Sequence, residues 1–314
     1  MKKKNRMKRL IKKRLIILLL CLFSLPGFAQ SNKEFIKSVE LSGYIGTRVD
    51  DCILKQVMAQ DVDHLVEPFK DKTEKSRWQS EFWGKWMLGA CDAYRYNRNP
   101  ALLKKMEYAV DELIKTQLPN GYIGNYGQES HLAQWDVWGR KYVMLGLQAF
   151  YKITGDKKAL NACRKEADYL LSEVGPGLAD IATIGNYKGM AAGSILEPMV
   201  YLYNNTKDTR YLDFAKYIVK QWETPVGSNL ISKALEGVHV AKRFLPIPKA
   251  ALWATGGHKS YEMMSCYVGL LELYKVTQNS AYLSAVEMTV NEIIENEINI
   301  VGGASSTNVG LKEI

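Results

Sequence analysis

The segment Gln134-Trp135-Asp136-Val137-Trp138-Gly139-Arg140-Lys141 sets two indoles, a carboxylate and two cations at the predicted start of a helix. Trp stacks on the apolar faces of sugar rings, and Asp with Arg can grip hydroxyls in pairs. The same residues suit a structural role, with Asp136 favouring the helix dipole and the tryptophans filling a core. Glu197 lies in an otherwise apolar helical stretch, Gly193 to Met199. A buried carboxylate is costly without a partner, so Glu197 needs a cation or a cavity. His258 follows Thr255-Gly256-Gly257 and could reach a ligand from a helix N-terminus, with Glu262 one turn further on. It could equally cap that helix or pack in a core. Trp83 and Glu81 could line the same cavity, although Glu81 also reads as a first-turn acid. His64 and His131 fall in polar loops and read as solvated.

The chain has no HExxH, no phosphate-cradling GxxxxGK, no GxGxxG and no GxSxG, and its four histidines argue against a multi-His metal site. A glycosidase normally uses two carboxyl groups, but no spacing here identifies such a pair. Cys91, Cys163 and Cys266 sit inside apolar helical patterns, where Cys acts as a small buried hydrophobe, so free thiols are expected.

The net charge of +9 does not point to nucleic acid. Nine of the 42 Lys and Arg lie in residues 1–14, and the rest balance the 33 Asp and Glu. That basic start, the apolar run Leu15 to Phe23 and the small residues Gly27 and Ala29 read as a signal peptide cleaved after Ala29. The apolar run is short for a transmembrane helix, so no stable membrane span is expected after cleavage. The expected location is the periplasm or the medium.

The elements that must position these residues repeat. Tyr94, Tyr151, Tyr203 and Tyr274 each stand three residues before a polar turn, and Leu103, Leu160, Leu212 and Leu283 follow those turns at one offset. An amphipathic helix flanks each turn on both sides, which makes a helical hairpin occurring four times. In the first, Phe82, Trp83, Trp86, Met87 and Ala90 share one helical face. Thr47 is expected to cap an earlier helix running to about Gln60, and Asp61 to Lys75 reads as a surface loop with a turn of helix. The irregular period and the long Gly- and aromatic-rich loops between hairpins favour an all-α, incomplete (α/α)6 toroid over a solenoid.

Trp78–Trp86 (WQSEFWGKW), Asn120–Tyr126 (NGYIGNY), the Thr154-Gly155-Asp156 turn, Thr255–His258 and Gly302-Gly303-Ala304-Ser305-Ser306 resemble glycoside hydrolase family 127, the β-L-arabinofuranosidase-like proteins. The resemblance implies an (α/α)6 barrel followed by β-sandwich domains, and removal of L-arabinofuranose from plant glycans by a retaining mechanism. It implies a zinc-bound cysteine as nucleophile and a glutamate as acid/base, the latter aligning with Glu313. The family's Glu-x-Cys and Cys-Cys zinc ligands lie beyond the Gly-Gly loop and are not among these residues. His258 matches one of the family's sugar-contacting histidines; Lys141-Tyr142 and Ala192-Gly193 stand near the places of two others. The expectation is a signal peptide (1–29) and a partial barrel (30–314) that binds carbohydrate but turns over little alone, lacking the rest of the barrel and the β-sandwich domains. Two alternatives stand beside it: a non-catalytic carbohydrate-binding toroid, and an unsaturated uronyl hydrolase with Asp136 as acid/base.

Overall fold

The computed structural model describes residues 39–243, 260–300 and 302–303; the signal segment, His258 and Glu313 lie outside the described residues. Helix α1 (Gly43–Cys52) begins at Ser42, before the predicted start, and runs into a π-helical turn at Ile53–Val57. Thr47 therefore lies inside the helix rather than capping it, and its hydroxyl donates to the Gly43 carbonyl at 3.1 Å. The stretch 61–75 holds α2 (Val62–Val66), capped by the Asp61 side chain, and α3 (Pro68–Asp71). Val66 and Phe69 are fully buried, so this stretch is packed structure and not the surface loop its charge suggests.

Four hairpins follow. They are α4 (Glu81–Asn97) with α5 (Pro100–Lys115), and α6 (Asp136–Thr154) with α7 (Lys157–Glu173). After the short α8 (Met190–Gly193) come α9 (Leu196–Thr206) and α10 (Thr209–Trp222). After α11 (Leu230–Leu235) come α12 (Ser260–Thr277) and α13 (Ser280–Asn296). The leading helices pack side by side in the order α4, α6, α9, α12, and each carries its own hairpin partner. No strand occurs among the described residues, only isolated bridges at Glu74–Tyr126 and Val174–Ala179. The result is an arc of an all-α toroid. No helix among the described residues is long and apolar enough to cross a membrane.

The repeated tyrosine marks a shared turn. Its carbonyl accepts the N–H of Arg98, Gly155, Lys207 or Gln278 at 2.7–2.9 Å, and that residue is left-handed in every case, with φ between 53° and 74°. The next residue, Asn99, Asp156, Asp208 or Asn279, then caps the second helix by accepting a backbone N–H two places on. In two turns the left-handed residue also sets its cation over the tyrosine ring, Arg98 over Tyr94 and Lys207 over Tyr203, both at 5.4 Å.

Helices α4 and α6 touch backbone to backbone. A Cβ on Gly84 would stand 2.1 Å from the Tyr142 carbonyl oxygen, and one on Gly146 would stand 3.2 Å from the Gly84 Cα. The buried face of α4 is narrower than its apolar pattern suggests: Trp83, Met87 and Ala90 are buried, Trp86 is half-buried and Phe82 is 45% exposed. Gly84→Ala is expected to destabilise the fold by about 1–3 kcal/mol through overpacking, read as a lower urea midpoint. An unchanged midpoint would mean the two backbones are not in contact.

Candidate active site

A cavity of about 410 Å³ opens where α4, α6, α9 and α12 face the toroid axis, a size suited to a small ligand. Lys85 and Leu88 line it from α4, Lys141, Tyr142 and Leu145 from α6, Glu197 from α9, and Tyr261 and Ser265 from α12. These spacings put one face of each helix on the cavity.

Its charges are interlocked. The Lys85 Nζ lies 2.8 Å from a Glu81 carboxylate oxygen and about 5 Å from the ring centroids of Tyr142 and Tyr261. The other Glu81 oxygen accepts the Trp138 indole N–H. Lys141 Nζ sits 4.7 Å from the Trp138 centroid and 4.9 Å from that of Tyr142. The hydroxyls of Tyr142 and Tyr261 are 2.6 Å apart. Burial pushes the Lys141 ammonium down to about 8, against the pull of Glu197. Burial likewise raises the Glu197 carboxyl, opposed by Lys141 and by a hydrogen bond from Tyr201. The cavity therefore offers hydroxyl donors and acceptors, a cation close to losing its proton and an acid that holds its proton longer than usual. Such a wall can bind a polyhydroxylated ligand and exchange protons with it.

Asp136 and Arg140 serve a different purpose. Asp136 is 1% exposed; it accepts the Tyr122 hydroxyl at 2.7 Å and the Leu132 N–H at 2.9 Å, and lies 3.4 Å from Arg140. Arg140 is fully buried and also pairs with Glu166 and, at 2.8 Å, with Glu173. Burial works against its charge, but these carboxylates outweigh it and hold the guanidinium above its usual value. Glu166 further accepts the Ile123 N–H. Together these groups strap residues 121–135 to α6 and α7.

His131 belongs to the same network. It stacks on Tyr122 at 4.0 Å, meets Glu173 at 3.2 Å, and its side chain is only 7% exposed, so it is not the solvated loop residue its neighbours suggest.

The remaining predicted site residues divide by depth. Glu197 lines the cavity. Trp138 is buried beside Lys141. Trp135 is half-buried and meets Trp78, Trp138 and Tyr187 edge-on at 5.7–6.0 Å. Trp83 is fully buried in the core and donates to the Ala109 carbonyl at 3.2 Å. Lys85 and Tyr261 were not singled out by sequence reasoning; Lys141 was noted as one cation of the Gln134–Lys141 segment, and Tyr142 only beside it as a departure from the family pattern. The available signal was a lysine inside an apolar helical run.

The described residues do not fit zinc. No three His, Cys, Asp or Glu among them are grouped to hold a metal ion. Cys52 is exposed, while Cys91, Cys163 and Cys266 are free and buried. Burial pushes the Cys91 thiol up to about 12 and raises those of Cys163 and Cys266.

An arc of helical hairpins around an axial cavity of aromatic and charged side chains is the architecture of the six-hairpin glycosidases. Residues 35–313 match the model of the β-L-arabinofuranosidase, GH127 catalytic domain, and the chain belongs to that family. It is 20% identical to a non-reducing end β-L-arabinofuranosidase of Bifidobacterium longum subsp. longum, over 91% of this chain and 48% of that protein. It is similar in fold to a GH127 β-L-arabinofuranosidase from Geobacillus stearothermophilus T6, with a TM-score of 0.58 and 17% identity, covering 84% of this chain and 44% of that one. An unsaturated glucuronyl hydrolase from Streptococcus agalactiae aligns with a TM-score of 0.50 and 15% identity, over 83% and 68% of the two chains. The chain thus spans about half the length of the GH127 relatives it matches.

Two outcomes test this geometry. Because the folded Lys141 binds its proton less tightly than the unfolded one, stability should rise as pH climbs from about 8 towards 10.5. Relative to Lys141→Met, the native chain should gain up to about 3 kcal/mol over that window in urea titrations, and parallel curves would place Lys141 in solvent. Arg140→Met leaves three carboxylates without their cation and should cost about 3–5 kcal/mol; a loss below about 1 kcal/mol would remove the network from the account.

Proposed function

We propose that this chain forms the sugar-gripping part of an exported glycoside hydrolase that acts on β-L-arabinofuranosides of plant-type glycans. The family match supports the reaction class. The observation that carries the reading is the axial cavity, where the paired Tyr142 and Tyr261 hydroxyls, Lys85, Lys141 and Glu197 converge. A furanose ring fits that volume and presents hydroxyls to both donors and acceptors. Export is supported by the basic residues Lys2 to Arg14 ahead of the apolar run Leu15 to Phe23. Little turnover is expected from these residues alone, since the family's nucleophile works as a zinc thiolate and the described residues offer no group that fits one.

The uronyl hydrolase reading would need Asp136 to face a substrate. Its carboxylate is instead sealed under Tyr122 and Leu132.

The purified chain should release no aryl group from a 4-nitrophenyl β-L-arabinofuranoside, yet bind an L-arabinofuranosyl disaccharide in a calorimetric titration. Glu197→Ala should weaken that binding about tenfold, the usual cost of a lost hydrogen bond to a charged group. Steady turnover would overturn the expected inactivity. Unchanged affinity in the variant would remove the axial cavity from the reading.

A further inference from the structure

The axial cavity lies at one end of the arc. Its lining residues Lys85, Lys141, Glu197 and Tyr261 all fall in the first two turns of their helices, so the segments that lead into those helices enter beside it. Three of these segments each bring one aromatic ring. Trp78 precedes α4, Trp135 stands immediately before α6, and Tyr187 precedes α8 and α9. Trp135 gathers them: its ring centroid lies 6.0 Å from that of Trp78 and 5.7 Å from that of Tyr187. It also lies 5.8 Å from Trp138, which in turn lies 5.3 Å from Tyr142 and 5.4 Å from Tyr261 on the cavity wall. A continuous run of rings therefore leads from the cavity out to Trp78, which is 48% exposed.

Two features mark this run as built. The hydroxyl of the buried Tyr126 donates to the Arg77 carbonyl at 2.9 Å and accepts the Trp135 N–H at 3.3 Å. One oxygen thus ties the backbone of Trp135 to the residue before Trp78. The backbone around Trp135 and Tyr187 is also strained: Leu132, Gln134, Tyr187 and Lys188 have φ of 65°, 48°, 58° and 51°. None of the four is the left-handed residue of a hairpin turn. L-residues avoid this region, and such strain collects at ligand clamps, where the surrounding structure enforces it. Here the Gly185 N–H donates to the Leu132 carbonyl at 3.0 Å, and a Cβ on Gly185 would stand 3.2 Å from the Gln134 carbonyl oxygen. The two strained loops are locked to each other.

We infer that Trp78 and Trp135 form an outer subsite, on which a further sugar unit of the glycan stacks while the axial cavity holds the terminal unit. The inference rests on the glycoside reading of that cavity and adds to it a preference for chain length. An indole offers a large, rigid apolar face and one N–H donor, which together suit a sugar ring and its hydroxyls. The continuity of the rings selects a second unit of the same glycan over a separate ligand, because a chain leaving Tyr142 and Tyr261 along them meets Trp135 before Trp78. Short arabinosides would use the inner site alone, and longer ones would gain the exposed indole.

The test is calorimetric titration of the full chain with an L-arabinofuranosyl disaccharide and with the matching tetrasaccharide. The native chain should bind the tetrasaccharide about 2- to 10-fold more tightly, the range for one aromatic contact. Trp78→Ala should bring the two affinities together, Trp78→Phe should keep most of the difference, and Glu197→Ala should weaken both sugars alike. Trp78 is exposed, so its variants should keep the native thermal midpoint. Equal affinities in the native chain, with Glu197→Ala still weakening both, overturn the outer subsite while the axial reading stands. A length preference that Trp78→Ala removes, with neither sugar affected by Glu197→Ala, upholds the outer subsite while the axial reading fails. A length preference that survives in Trp78→Ala overturns the assignment to this indole. Absence of binding by either sugar overturns both readings. A native dimer in sedimentation velocity that Trp78→Ala dissociates, without any length preference, assigns the exposed ring to a second copy of the chain and overturns the subsite.

Discussion

A fully buried guanidinium must be neutralised on the spot, and Arg140 imposes that requirement on everything around it. Its partners come from two helices: Asp136 from α6, Glu166 and Glu173 from α7. Those carboxylates have further oxygens to satisfy, and they do so with Tyr122, Ile123, Leu132 and His131. One charge therefore dictates the course of the loop from 121 to 135. It also fixes the rotation of α6 about its axis. With Arg140 turned towards α7, the adjacent Lys141 is rotated about 100° and faces the axial cavity with Tyr142. The cavity wall is thus set from behind, by groups that never meet a ligand.

The cavity itself keeps its polar groups in a tense but supported state. Lys141 has lost most of its water, and the faces of Trp138 and Tyr142 compensate only in part, which is why its proton is held weakly. Lys85 is partly exposed and has a carboxylate partner in Glu81 at 2.8 Å. Two lysines on one wall thus differ in surroundings: Lys85 meets a carboxylate at close range, while Lys141 lies over the faces of Trp138 and Tyr142.

The hairpins were legible in the sequence because their turns are local. The tyrosine, the turn residue and the Asn or Asp cap lie within a few positions of each other, and the hydrogen bonds they make run between those same positions. The burial of Asp136 and His131 was not legible, since their partners lie outside the local pattern: Tyr122 is 14 residues from Asp136, and Glu173 is 42 from His131. The choice between Arg140 and Lys141 as the cavity-facing cation had the same cause, because helix rotation is set by those distant groups. Trp83 illustrates the opposite failure. Its apolar pattern correctly signalled burial, but an indole placed in a core packs against helices and not against sugars.

The hairpin turns carry one more consequence. Arg98, Lys207 and Gln278 occupy a left-handed backbone that Gly155 adopts without steric cost in the second hairpin. An L-residue there is held at a disadvantage of roughly 1 kcal/mol or more, and the cation over the tyrosine ring at Arg98 and Lys207 returns only part of it. Gln278 carries no cation, and its side-chain amide instead donates to the Lys275 carbonyl at 3.0 Å. Glycine at those three turns would relieve the same strain that Gly155 avoids, at positions that do not line the cavity of Lys141 and Glu197.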